Sequence, residues 1–76
     1  MNEDAIVVIE EVAASLIDSA NEIIGNSSFD EGRRVGYYEA LSSIISQCEV
    51  MGVDLTKVGL KGFSPESILN KAKKAA

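Results

Sequence analysis

The sequence predicts an all-α chain: an antiparallel helical hairpin plus a short C-terminal helix, with two hairpins dimerising into a four-helix bundle. Three observations carry this expectation. Two segments, about 4–24 and 29–51, repeat apolar residues at intervals of three and four. A Gly-Asn stop and a Ser-Phe-Asp-Glu start separate them within a few residues. At 76 residues, a single core barely outweighs the entropy of ordering the chain, so a staple is expected.

Helix 1 is expected over about 4–24. Its early acids, Glu3 and Asp4, suit the positive end of the helix dipole, and Gly25-Asn26 is suited to a left-handed stop. At about 100° per residue, its apolar positions from Ala5 to Ile24 spread over an arc of about 180°. A helix docked on one side shows a stripe of only about 100°. One neighbour cannot cover so wide a face.

Helix 2 is expected over about 29–51, with Ser28 and Glu31 as its capping box and Gly52 as its stop. Tyr37, Leu41, Ile44, Cys48 and Met51 follow one another at the four- and three-residue spacings of a bundle seam. Beside that seam runs a stripe of small residues, Gly32, Gly36, Ala40 and Ser43. A glycine inside a helix is destabilising by about 1 kcal/mol relative to alanine, so close packing against a backbone or ring is expected at Gly36. With so short a connection, the two helices must run antiparallel.

Residues 52–63 read as a strap, with a helical turn near 55–58. A short third helix over about 65–74 is expected to start at Ser64-Pro65-Glu66. Phe63 and Ile68 are placed for a hydrophobic staple across that start, and the lysines of the last turn suit the negative end of the dipole. The whole chain, 1–76, reads as a single helical domain.

Composition narrows the function classes. With one cysteine and no histidine, the chain can form no internal disulfide and cannot assemble a tetrahedral nitrogen–sulfur metal shell. Neither a metal nor a cofactor is expected. A lone thiol fits a reducing, cytoplasmic setting. The acidic start lacks the basic and apolar regions of a signal peptide, and no run approaches the roughly 20 apolar residues of a membrane span. Residues 1–32 carry a charge of −8 and residues 33–76 carry +3, giving the total of −5 and favouring folding of one half onto the other. That sign disfavours nucleic acid as a partner, because counterion release needs clustered cations, and three tail lysines suffice only for a solubilising helix end.

The candidate chemistry is sparse. Cys48 lies in the seam with no histidine to serve as its base, so it reads as a small buried hydrophobe. Adjacent acids such as Glu10 and Glu11 diverge on a helix and do not converge on one atom. An enzyme is therefore not expected. Two surfaces remain for partner binding. Arg33, Arg34, Tyr37 and Tyr38 form one, since arginine and tyrosine are enriched at binding hot spots. Arg34 falls almost on the centre line of the apolar face, where it either joins that patch or pairs with Asp18 or Glu22 at the end of helix 1. Glu11, Asp18 and Glu22 form the second surface, an acidic ridge at seven- and four-residue spacing.

The expected function is that of a non-enzymatic, cytoplasmic protein-interaction or regulatory module acting as a homodimer. The alternative is an acidic inhibitor of the antitoxin or immunity type that neutralises a basic protein partner.

Overall fold

The computed structural model describes residues 2–70, and every regular element among them is helical: α1 (Glu3–Asn21), α2 (Ser28–Met51), a 3₁₀ turn (Leu55–Val58) and α3 (Glu66–Leu69). Residues 71–76, where the third helix was expected to continue, lie outside the described residues.

Helix α1 begins where the Asn2 side chain accepts a hydrogen bond from the Ala5 amide at 2.8 Å, with Glu3 and Asp4 in the first turn. It ends at Asn21, earlier than the expected boundary near residue 24. Gly25 does not take the left-handed conformation expected of a stop; among glycines only Gly52, Gly59 and Gly62 do. The chain leaves the helix before Ile23, buries that side chain and leaves Ile24 exposed. Gly25 has a different use. A Cβ there would collide with the Asp30 carboxylate, so its bare backbone lets the connection close onto the first turn of α2.

That carboxylate belongs to the true cap of α2. The capping box pairs Ser27 with Asp30, one residue before the expected Ser28–Glu31 pair. The Ser27 hydroxyl accepts from the Asp30 amide at 3.2 Å, and the Asp30 carboxylate accepts from the Ser27 amide at 3.4 Å. Helix α2 closes on Gly52 at φ +72°, where the Gly52 amide bonds the Glu49 carbonyl and the Val53 amide bonds the Cys48 carbonyl. This Schellman closure works because glycine enters the left-handed region without a Cβ penalty.

The strap is a chain of short turns. Asp54 caps the 3₁₀ turn by accepting from the Thr56 amide at 2.9 Å, and Gly59 at φ +71° ends it. Pro65 rather than Ser64 occupies the N-cap of α3 and makes no side-chain cap bond; the Ser64 hydroxyl instead donates to the Glu66 carboxylate at 2.8 Å.

The 3₁₀ turn packs on α1 and α3 packs on α2, so the strap bridges both helices of the hairpin. Leu41, Leu60 and Val58 are the largest fully buried side chains, and Ala13, Ala20, Cys48 and Ile68 complete the core with them. The strap covers the centre of α1's apolar arc around Ala13 and Ala20. Val8 and Val12, on one flank of that arc, stay exposed.

Candidate interaction surface

The uncovered flank forms one wall of a groove. Because the helices are antiparallel, the N-terminal half of α1 lies beside the C-terminal third of α2. Val8 and Val12 face Ile44, Gln47, Cys48 and Met51 across a space of about 330 Å³ that Val53 also lines. Val8 is 60% exposed and Met51 66%, high values for apolar side chains that line a common depression. Cys48 is buried at its floor and unpaired, in keeping with its reading as a packing residue.

At the far end of α2, Phe29 is 74% exposed, and the Arg33 guanidinium sits 5.8 Å from its ring centroid. At that distance the two form a cation–π pair while the charge stays in water. In the sequence Phe29 stands within the Ser-Phe-Asp-Glu start of helix 2, where nothing marks it as a surface residue.

The four residues expected to form a patch are not placed alike. Arg33 is exposed, Tyr37 and Tyr38 are half-buried, and Arg34 is only 3% exposed. Pairing of Arg34 with Asp18 or Glu22 is not what the structure contains. Its Nη2 donates to the backbone carbonyls of Ile23, at 3.1 Å, and of Gly25. These acceptors lie just past the end of α1, where carbonyls lose their helical partners and a cation is favoured. Arg34 therefore ties the connection to α2. Its Nε and Nη1 are buried without a hydrogen-bond partner among the described residues.

Glu11, Asp18 and Glu22 are all exposed, as expected of an acidic ridge, and fall within about 40° of one another on an ideal helix. Among the described residues no group of three histidine, cysteine or acidic side chains could hold a metal ion. Among the described residues no helix is long and apolar enough to cross a membrane. Two carboxylates have lowered pKa values for local reasons: Asp54 through the Thr56 amide it accepts from, and Glu66 through the Ser64 hydroxyl.

No protein-family model, curated protein or solved structure matches this chain.

Proposed function

We propose that the chain is a non-enzymatic protein-interaction module that acts as a homodimer, using the groove between α1 and α2 as its contact surface. The observation that supports this most is the pair Val8 and Val12. They extend the core face of α1 past the region the strap covers and line a continuous apolar depression. A small domain gains stability by burying such a surface, at about 25 cal/mol per Å².

Light scattering after size exclusion tests this reading. Wild-type protein at tens of micromolar is expected to weigh about twice 8.1 kDa. Val12→Glu is expected to give a monomer with unchanged helicity, because Val12 is exposed and the substitution buries no charge in the chain itself. A wild-type mass of 8.1 kDa would rule the homodimer out.

The exposed Glu11, Asp18 and Glu22 support a second reading, inhibition of a basic protein partner through the acidic ridge. Capture of such a partner would weaken steeply with added salt, since exposed charges are screened over about 8 Å at physiological ionic strength. Salt-independent capture, or capture undiminished by Asp18→Lys with Glu22→Lys, would discard it.

A further inference from the structure

We infer that two copies pack α2 against α2 in antiparallel fashion, with Phe29 of each protomer seated in the groove of its partner. This rests on the homodimer reading and gives it a register.

The inference begins from a mismatch within one chain. A large aromatic side chain projects at one end of α2, and an apolar groove lies open at the other end of the same helix. Neither can satisfy the other within a protomer. Phe29 and Gln47 are 18 residues apart, five whole helical turns, so they share a face but stand about 27 Å apart. A two-fold axis perpendicular to α2 removes the mismatch, because it presents each end to the other. The groove's 330 Å³ is ample for a phenyl ring, given that a cavity of about 150 Å³ takes benzene.

Symmetry then fixes the remaining contacts without further choice, since an isologous interface repeats every pairing in reverse. Setting Phe29 opposite the partner's Gln47 sets Gly36 opposite the partner's Ala40, at the point where the helices cross. Phe29, Arg33, Gly36, Ala40, Ser43 and Gln47 lie within about 80° of arc on α2, which is one contact stripe. A Cβ added at Gly36 would meet nothing within 4 Å in a single chain, so nothing within the protomer requires a glycine there. A partner helix crossing at that point supplies the requirement, because small residues let two backbones approach.

Charge agrees with the same register. Arg33 is set opposite the partner's Ser43, and Ser43 and Val12 line opposite sides of the groove. Glu11, which precedes Val12 in α1, is exposed. Among the described residues neither Arg33 nor Glu11 has an ion-pair partner in its own chain, and the antiparallel arrangement brings them together twice across the axis.

Cysteine trapping tests this arrangement. In a Cys48→Ala background, Arg33→Cys and Ser43→Cys protein are oxidised separately and as a mixture, with circular dichroism checking that each is folded. Both sites are exposed, and Phe29 is left in place. A covalent dimer that forms chiefly in the mixture is the expected result. Efficient self-linking of either variant would indicate parallel helices and overturn the register. A dimer by light scattering with no cross-link in any sample would mean that copies pair through another face, which overturns this inference and leaves the homodimer standing. A monomer in every sample would remove both. A charge swap gives a second measure. Arg33→Glu or Glu11→Arg alone should weaken dimerisation about five-fold, and the double variant should recover to within about two-fold. Absence of that recovery would also overturn the register.

Discussion

Arg34 shows how a residue that looks out of place in a seam can be structural. Its side chain occupies the position on α2 that a leucine would fill, seven residues before Leu41 and fourteen before Cys48, both buried. Among the described residues no carboxylate neutralises its charge; Nη2 donates to two carbonyls just past a helix end. Truncation to alanine strips both carbonyls of their donor and leaves a void, so Arg34→Ala is expected to destabilise by about 2–4 kcal/mol in urea titration. Arg34→Met keeps the aliphatic stem and removes a buried cation with two unpartnered nitrogens, so it should lose less than half as much. Equal losses would show that the hydrogen bonds, not the packing, dominate. The position of Arg34 on the apolar face could be read from spacing alone. Its partners could not, because charge suggests acid as the counterpart and a free backbone carbonyl leaves no mark in a sequence.

Asp54 makes a different kind of contribution at this scale. The Thr56 amide holds its carboxyl below the ordinary aspartate pKa of about 3.9. A depressed pKa means that the carboxylate cap stabilises fully above the unfolded value and loses this effect as pH falls through the lower folded value. The strap cap should therefore be intact at neutral pH and weaken only below about pH 4. Asp54→Asn, which still presents an acceptor oxygen, should flatten that part of an acid unfolding curve. An unchanged curve would argue against the cap.

Among the elements, the two long helices were legible because each has many periodic positions and an error at one does little harm. Their ends were not, because a cap depends on single residues. The segment Ser27-Ser28-Phe29-Asp30-Glu31 contains two overlapping capping boxes, Ser27 with Asp30 and Ser28 with Glu31. Three-dimensional context chooses between them. The Asp30 carboxylate reaches back toward Gly25, a position with no side chain to obstruct it. Ser27→Ala is accordingly expected to lower stability by about 1 kcal/mol, and Ser28→Ala by much less. The early end of α1 has a similar cause: burial of Ile23 and the bonds from Arg34 favour an unwound connection over about three more residues of helix. At Gly36 two effects oppose each other. Alanine improves helix propensity by about 1 kcal/mol and meets no clash within the chain, so dilute protein should gain stability. Gly36→Leu would fill the surface at which two helices are proposed to cross, and its dimer affinity should drop while its helicity is kept. Loss of helicity would instead mean that Gly36 faces the protomer's own core.

For the molecule as a whole, the wide apolar arc of α1 posed a choice between two covers, the strap or a second copy. The strap takes the middle of the arc and leaves a flank, so both have a share available. The interior that remains to a single chain is small and depends heavily on a few side chains. Leu41→Ala should lose about 3–5 kcal/mol, comparable with the whole stability expected of a domain this size, and largely unfold it at 25 °C. Dimerisation would make the melting temperature rise with protein concentration, whereas a monomer's would not move. The surface on which partners meet was less legible than the core. Periodicity separates buried from exposed positions, but it does not tell an apolar residue covered by its own chain from one left for another. Val8 and Val12 belong to the same apolar arc as Ile9 and Leu16, yet they stay exposed while those two pack against the core.

The sulfur at the groove floor turns that difference into something that can be timed. Cys48 is sheltered by side chains, two of which, Val8 and Met51, stand largely open to water, so a thiol reagent has a short route in. In a lone chain its modification half-life should be the same at any dilution. If a partner's ring plugs the groove, the half-life should lengthen as the protein is concentrated, and the concentration at which it doubles reports the strength of the association in the unsubstituted chain.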